Sequence, residues 1–299
     1  MAHSHILAGA TPDQAAPAIR RIGVRDLIDA LARGLDDFAA MPSHAVFLCI
    51  IYPVIGLALA ALTLGLAVLP LLFPLAAGFA LLGPFAAMGL YELSRRREAG
   101  VPVSAMDVFD VLYSPSIGAI VALGALLTII FLIWIAVAHA IYVANFGYAP
   151  PESAARFLHD VLFTEAGHNL ILVGNAVGFL FALTVLAISV VSFPLLLDRD
   201  VGAVMAVMTS VRAVLANPVP MALWGVIVAG LLFLGSLPLF LGLPVVLPVL
   251  GHATWHLYRK VVVAEASPRA DYRPRVRGPR YAADFPAVLF PWARERREH

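Results

Sequence analysis

The stretch His44–Tyr91, HAVFLCIIYPVIGLALAALTLGLAVLPLLFPLAAGFALLGPFAAMGLY, contains no aspartate, glutamate, lysine or arginine. One membrane-spanning helix needs about 20 predominantly apolar residues, so a charge-free run of this length has room for two. Glycine and proline between Gly65 and Pro70 are typical of the turn that would separate them. The run therefore predicts a pair of transmembrane helices joined by a tight turn.

Three further charge-free runs follow along the chain. Ile117–Val143 and Asn169–Leu197 are each long enough for one span, and Val219–Tyr258 is long enough for two, with a turn between Gly235 and Pro244. The composition agrees, because 61% of the residues are hydrophobic and only 13% are charged, whereas soluble domains average about 25% charged. We therefore expect an all-α, polytopic membrane bundle of six transmembrane helices.

Lysine and arginine are concentrated on one side of this predicted bundle. Of the 20 such residues in the chain, only Arg156 falls in the loop between the third and fourth spans. Cytoplasmic loops of membrane proteins carry the excess of lysine and arginine. An even number of spans with this bias predicts that both termini are cytoplasmic.

A short helical segment precedes each pair of predicted spans. The segments lie near residues 24–40, 104–114 and 200–216, and a proline follows each of them. Apolar residues recur in each at helical spacing: Val24, Leu27, Ile28, Leu31, Leu35 and Phe38; Met106, Phe109 and Leu112 or Tyr113; Val201, Val204, Met208, Val211 and Leu215. The pattern predicts three hairpin-like units, each preceded by a cytoplasmic interfacial amphipathic helix that buries its apolar stripe against the bundle.

The two ends of the chain differ from the middle. We expect a disordered N-terminus over residues 1–18, a six-span membrane domain over 19–266, and a basic cytoplasmic tail over 267–299 that is rich in proline and arginine. A tail of this composition buries too little apolar surface to fold alone. Its cations would be attracted to anionic lipid headgroups by about 1 kcal/mol each. The apolar patch Phe285–Trp292 interrupts the tail and could dock on the bundle, a partner or the bilayer.

The stretch GHATWHLYRK, Gly251–Lys260, places two histidines one helical turn apart at the end of the sixth predicted span. His252 and His256 could bind haem or a metal ion as cofactor ligands, or they could form a hydrogen-bonding pair in the protein core; no cofactor is expected on the second interpretation. Aromatic and basic residues around them are typical of a membrane interface. The predicted interface anchors are Trp255, Tyr258, Arg259, Lys260, Tyr91, Arg95, Arg96 and Arg97.

The loop between the third and fourth predicted spans has its own amphipathic pattern over residues 154–162, which predicts a helix on the periplasmic surface. His139, His159 and His168 lie on this side together with Asp160. These residue types bind transition metals. Their spacing matches no metal motif, and scattered interface residues are the alternative interpretation.

Three stretches carry a resemblance to a known family: IRRIGVRDLIDALARGLDDF (19–38), LPLLFPLAAGFALLGPFAAMGLYELSRRRE (69–98) and LPVLGHATWHLYRK (247–260). They resemble an uncharacterised family of bacterial six-span integral membrane proteins, over roughly residues 18–265. The resemblance implies no activity, substrate or catalytic residue, although labels of some members suggest association with respiratory oxidases. Together with the alanine- and arginine-rich composition, it indicates the bacterial inner membrane.

Motifs of catalytic sites are missing from the sequence, which has no Walker motif, no H-E-x-x-H and no G-x-S-x-G. Ion-coupled transporters usually carry a charged residue inside a span, and none of the predicted spans does. We therefore expect a structural, accessory or assembly component of a membrane complex, without enzymatic activity. Its expected partners are lipids, including anionic headgroups, and not nucleic acid. The alternatives are a channel or transporter for a neutral or apolar solute, and a haem- or metal-binding protein.

Overall fold

Regular structure in this protein is helical. The computed structural model describes residues 17–41, 69–238 and 240–264. The first predicted span, the N-terminal segment before residue 17, and the tail from residue 265 with its patch Phe285–Trp292 lie outside the described residues. Within the described ranges, β-structure is limited to one isolated bridge. The prediction of an all-α protein is therefore confirmed.

The helices of the described residues differ widely in length. They are α1 Val24–Ala40, a 3-10 turn Leu69–Leu71, α2 Leu72–Leu81, α3 Gly83–Ala86, α4 Met88–Glu98, a 3-10 helix Ala105–Tyr113, α5 Ile117–Phe146, α6 Ala154–Phe163, α7 Glu165–Ser189, α8 Ser192–Asp198, α9 Ala203–Ala216, α10 Pro218–Ser236 and α11 Leu243–Val261. Three of them are long and apolar enough to cross a membrane: α5, α7 with its continuation α8, and α10. They coincide with the third, fourth and fifth predicted spans, and the chain is therefore a helical membrane protein.

The second and sixth predicted spans look different in the structure. Turns at Leu82 and Ala87 divide the second into the short helices α2, α3 and α4. Pro84 has no N–H to donate to a preceding carbonyl, which favours such a break. The sixth corresponds to α11, but this helix is not among the three that are apolar enough to cross a membrane, because its C-terminal half is polar.

Side-chain caps mark where two of the helices begin, and a glycine marks where α5 ends. The Asp26 carboxylate accepts a hydrogen bond from the Gly23 backbone N–H at 2.9 Å, and the Asp107 carboxylate accepts one from the Ser104 N–H at 2.8 Å. The first N–H groups of a helix have no partner inside it, so such caps stabilise the start. α5 ends at Gly147, whose φ of 77° is readily adopted by glycine.

Trp134 is the centre of the packing between α2, α5 and α7. Its indole Nε1 donates a hydrogen bond to the Pro74 carbonyl at 2.9 Å, and its ring centroid lies 5.5 Å from that of Phe181. Gly78 and Gly178 face the same indole, and a Cβ at Gly78 would come within 2.8 Å of it. Small residues at these positions let the helices approach the bulky ring closely.

α1 packs side by side and antiparallel with the C-terminal half of α11. Near the start of α1, Asp26 and Asp29 lie 3.6 and 2.6 Å from Lys260 Nζ. Further along, Gly34 touches Ala253, and a Cβ at Gly34 would lie 2.6 Å from the Ala253 backbone nitrogen. Glycine is therefore what allows the two backbones to approach each other here.

The segments that flank these two helices also pair with each other. Ile19 and Val262 form an isolated antiparallel bridge, and the Arg20 N–H donates to the Val261 carbonyl at 2.7 Å. The first and last segments of the described chain therefore meet.

Asn217, which ends α9, links a third segment to this pair. Its Oδ1 accepts a hydrogen bond from the Ile22 N–H at 2.8 Å, and its Nδ2 donates to the Arg20 carbonyl at 3.1 Å. A second bond from Nδ2 reaches the Ala213 carbonyl within α9. One buried amide thus joins the chain before α1 to the boundary between α9 and α10.

The apolar stripes of the three amphipathic segments face outward, and the expectation that they would be buried is wrong. Only Leu27 and Val201 of the predicted stripes are buried. The exposed members are Val24, Ile28 and Leu35 in α1, Met106, Phe109, Leu112 and Tyr113 in the 3-10 helix, and Val204, Met208 and Leu215 in α9. The buried sides carry small or polar residues such as Gly34, Asp107 and Ser210. Close backbone packing requires small residues, so the large apolar side chains are left for the outer surface.

Candidate functional site

Asp37, Ser94, Arg97, His252 and His256 form a polar cluster where α1, α4 and α11 meet; we call it the histidine–carboxylate cluster. All of these residues except Arg97 are buried. Ser94 and Arg97 are three residues apart on α4, and the histidines are four apart on α11, so each pair shares one helix face. The local helical spacing therefore presents four side chains toward the Asp37 carboxylate.

The Asp37 carboxylate is the centre of the cluster. Its Oδ2 accepts hydrogen bonds from Ser94 Oγ at 2.6 Å and from His256 Nε2 at 2.9 Å, and its Oδ1 accepts one from Arg97 Nη1. Burial acts to raise the pKa of Asp37, but the hydrogen bonds from His256 and Ser94 outweigh it. The pKa therefore lies below the ordinary 3.8, and the carboxylate is charged at neutral pH.

The hydrogen bonds also define the tautomer of His252. Ser94 has one hydroxyl proton, and it is donated to the charged Asp37 carboxylate. His252 Nδ1, 2.7 Å from Ser94 Oγ, must then be the donor of that hydrogen bond. His252 Nε2 is left with a bare lone pair, and it is the one fully buried side-chain nitrogen or oxygen in the described part of the chain without a hydrogen-bond partner.

Serine, histidine and aspartate also make up hydrolase triads, but there the hydrogen bonds join the three residues in a different order. In a triad the histidine lies between the serine and the aspartate and takes the serine proton. Here Ser94 lies between Asp37 and His252, and its proton is directed to the carboxylate. This arrangement links three helices and does not activate the serine hydroxyl as a nucleophile.

A second group of charges joins α4 to the 3-10 helix Ala105–Tyr113. Glu92 is completely buried and accepts hydrogen bonds from Arg95 at 2.8 Å and from Arg96 at 2.7 Å. The Arg96 guanidinium also lies 3.2 Å from Asp107 and 2.6 Å from Asp110. Three carboxylates therefore surround one buried arginine.

A third group joins α11 to α4 and α8. Tyr258 donates to the Asp198 carboxylate at 2.7 Å, and Trp255 Nε1 donates to Glu98 at 3.0 Å. Arg259 lies between the two acids, 3.0 Å from Glu98 and 3.4 Å from Asp198. Three side chains of this face of α11 are thus bound to acids of neighbouring helices.

The predicted interface anchors have protein partners in the structure. Trp255, Tyr258 and Tyr91 are buried, and Arg95, Arg96, Arg97, Arg259 and Lys260 lie at ion-pair distance from carboxylates. The sequence pattern predicts these residues as membrane-interface anchors, with Arg259 and Lys260 reaching phosphates. It missed the partner acids, because a buried cation requires a counter-charge that can come from a distant helix.

The histidines of the third-to-fourth loop do not gather into a site. His159 Nδ1 lies 3.4 Å from its neighbour Asp160, and His168 Nε2 lies 2.8 Å from the Leu162 carbonyl. His139 is exposed on α5. Among the residues that the structure describes, no group of three or more His, Cys, Asp or Glu side chains could hold a metal ion.

Residues 72–198 match the model of a family described as a predicted integral membrane protein (DUF2189). The match confirms the resemblance to an uncharacterised membrane protein family over this part of the chain. It includes Ser94 and Arg97 but neither Asp37 nor the two histidines. No curated protein and no solved structure gives a significant match. The family description names no activity.

Proposed function

We propose that this chain is a multi-pass protein of the bacterial inner membrane that acts as a structural or accessory subunit of a larger membrane complex and has no enzymatic activity. The observation that carries the proposal is the mutual pairing of buried charges around Asp37, Glu92, Asp198 and Arg96. Groups paired in this way hold helices together and are not available to bind or activate a substrate.

The distribution of polar groups favours this role over a channel or transporter for a neutral solute. Residues 117–146, 166–197 and 218–236 contain no Asp, Glu, Lys or Arg, and the buried charges lie instead on α1, α4 and the 3-10 helix and at the end of α8. A solute pathway would be expected to place polar groups along the middle of the bundle.

The outer faces of the long helices offer surface for a partner. Large apolar side chains are exposed on α5, α7 and α10, among them Leu132, Leu172, Phe179, Val226 and Phe233. Such faces pack against lipid or against helices of another membrane protein.

A photo-crosslinking amino acid tests the subunit hypothesis in native membranes. Placed at Phe179 or Phe233, it should give a discrete protein adduct from at least one of these faces. The buried Leu127 on α5 is the control position and should give none. Lipid adducts alone at every exposed position, with migration as a monomer in native gels, would rule out a subunit role.

The membrane arrangement that we propose has six spans, both termini in the cytoplasm, and three units that each begin with an interfacial helix. Its support is that α1, the 3-10 helix and α9 share the same distribution of an outward apolar face and a buried small or polar face. Reporter fusions at residues 100, 208 and 280 should be cytoplasmic, and one at residue 160 periplasmic. A periplasmic signal at residue 100 would contradict the six-span arrangement.

One observation favours a second candidate function, which is binding of haem or a metal ion by His252. A metal-binding histidine usually donates its other ring N–H to an acceptor that fixes its orientation, and Ser94 fills that place for His252. His256 Nε2 is already bound to Asp37, so His256 could bind a metal only through Nδ1.

Absorption spectra and metal content of protein from its native membrane test this candidate. A Soret band or a stoichiometric metal should be lost in His252→Ala. A well-folded preparation without colour or metal would exclude it.

A further inference from the structure

The lysine and arginine side chains of the described residues fall into two groups. One group lies at ion-pair distance from carboxylates of the same chain: Arg33, Arg95, Arg96, Arg97, Arg156, Arg199, Arg259 and Lys260. The other consists of Arg20, Arg21, Arg25 and Arg212, which are exposed and have no such partner in the described ranges. The second group therefore carries positive charge that the described part of the protein does not neutralise.

These four arginines lie on segments that meet at Asn217. Arg20 and Arg21 directly precede Ile22, whose N–H is bound by Asn217, and the Arg20 carbonyl accepts from the same amide. Arg25 is in the first turn of α1. Arg212 is on α9, about 7.5 Å along the helix from Asn217. The segments that carry these charges, which are far apart in the sequence, thus meet at one junction.

Large apolar side chains surround this junction. Val24 and Ile28 are exposed on α1, in the same turns as Arg25. Leu215 and Val219, on either side of Asn217, are 73% and 72% exposed. Guanidinium groups bind phosphate oxygens through paired N–H donors, and exposed apolar side chains are stabilised by acyl chains. The two features together match the headgroup and the tails of a lipid.

We propose that the junction at Asn217 binds an anionic phospholipid, whose phosphate contacts the four arginines and whose acyl chains cover Val24, Ile28 and Val219. The proposal rests on the proposed function in one respect, since it requires α1 and α9 to lie at the membrane interface. Free phosphate would bind the guanidinium groups but would leave the apolar side chains exposed to water. A zwitterionic lipid would bring a second, positive charge close to the arginines.

The full-length protein in neutral detergent, stripped of lipid, tests the proposal by titration with phosphatidylglycerol or phosphatidylcholine. Phosphatidylglycerol should raise the thermal unfolding midpoint more than phosphatidylcholine does. It should also remain bound in native mass spectra to a greater extent. In a variant with Arg20→Gln, Arg21→Gln, Arg25→Gln and Arg212→Gln this preference should disappear, with about fivefold weaker binding for each charge removed. The control variant, Arg33→Gln with Arg156→Gln, changes exposed but paired arginines and should retain the preference.

Unchanged phosphatidylglycerol binding in the fourfold variant would overturn the proposal. An equal thermal shift with inorganic phosphate would also overturn it, because the site would then bind free anions. If the fourfold variant does not fold, Arg25→Gln and Arg212→Gln are measured singly, and either one binding like the wild type contradicts the assignment. The isolated chain is used throughout, so a missing partner complex in native membranes would refute the subunit hypothesis and leave this result intact.

Discussion

Around the C-terminal half of α11, buried polar side chains are bound to partners on other helices, as His256 is to Asp37 and Tyr258 is to Asp198. Along α5, α7 and α10, apolar side chains such as Phe179 and Phe233 point outward instead. We call the first region the polar end and the second the apolar bundle. This placement of side chains is the reverse of that in a water-soluble protein, in which charged residues face out and large apolar residues face in.

The difference predicts how each region responds to mutation. A buried charge that loses its partner keeps its desolvation penalty, so the polar end depends on particular pairs of side chains. An outward-facing apolar side chain has similar surroundings before and after a conservative change, because lipid tails are as apolar as the side chain. Single substitutions should therefore be costly in the polar end and mild on the surface of the apolar bundle.

The largest effect is expected for Asp37→Ala, which leaves Arg97 and His256 without their shared acceptor. Arg97 is exposed and can be solvated, but the buried donors of Ser94 and His256 lose their acceptor, and each such loss costs about 1–3 kcal/mol. The neighbouring Asp36 is exposed, and Asp36→Ala should change the free energy of unfolding by no more than about 0.5 kcal/mol. Unfolding of both variants in detergent provides the measurement, and equal stability of the two would remove the distinction between buried and exposed acids.

Gly34→Ala should have the next largest effect. The added Cβ would lie 2.6 Å from the Ala253 backbone nitrogen, so α1 and α11 must separate, at a cost of about 1–3 kcal/mol for overpacking. Gly174 on α7 has no neighbouring atom within 4 Å of an added Cβ. There, Gly174→Ala should leave stability unchanged or raise it by up to about 1 kcal/mol. Destabilisation by both substitutions to the same degree would contradict close packing as the cause.

Ser94→Ala should be milder, since it removes a hydroxyl without leaving a charge unpaired. The bonds of Asp37 to His256 and Arg97 remain, and the loss is expected to be about 1–2 kcal/mol. Ser236 on α10 is the matched position, because its hydroxyl only donates to the Leu232 carbonyl of its own helix at 2.8 Å. Ser236→Ala should have almost no effect on the thermal midpoint. A comparable loss at both serines would show that Ser94 does not bridge helices.

The smallest effect near neutral pH is expected from the ionisation of Asp37. Its pKa in the folded protein lies below the ordinary 3.8, so its stabilising contribution is fully present above that pH and is lost as the pH falls through the folded-state pKa. Ionisation of Asp37 should therefore add no pH dependence to the thermal midpoint between pH 5 and 7. Below about pH 4, the wild type should lose stability more steeply than Asp37→Asn. If the thermal midpoints of the two proteins fall in parallel as the pH is lowered, Asp37 is not charged in the folded state.

The sequence predicts the apolar bundle far better than the polar end. A charge-free run long enough for a span is a local property, and α5, α7 and α10 follow such runs closely. Partners in the polar end are not local: 219 residues separate Asp37 from His256, and 158 separate Ser94 from His252. Helical periodicity shows which side chains share a face but does not show which distant face they meet.

One local signal for the polar end was nevertheless present. The segment that became α1 has four acids, Asp26, Asp29, Asp36 and Asp37, and only two basic residues. An excess of acid in a segment that packs on the protein requires partners from elsewhere, and α11 supplies the Lys260 cation and the hydrogen bond from His256. The outward direction of the apolar stripes had no comparable signal, because an amphipathic pattern alone does not distinguish a bundle from lipid as the apolar neighbour.

The meeting of α1 with α11 has a consequence for biosynthesis. α1 is the first helix of the described chain to leave the ribosome and its main partner is the last, so at about 5–20 residues per second the Asp37 carboxylate waits roughly 10–45 s for His256. During that time Asp26, Asp29 and Asp37 have no counter-charges from α11 and remain hydrated outside the apolar core. The polar end therefore assembles only after translation of α11, and a truncated chain that stops before residue 252 would expose α1 to quality-control proteases.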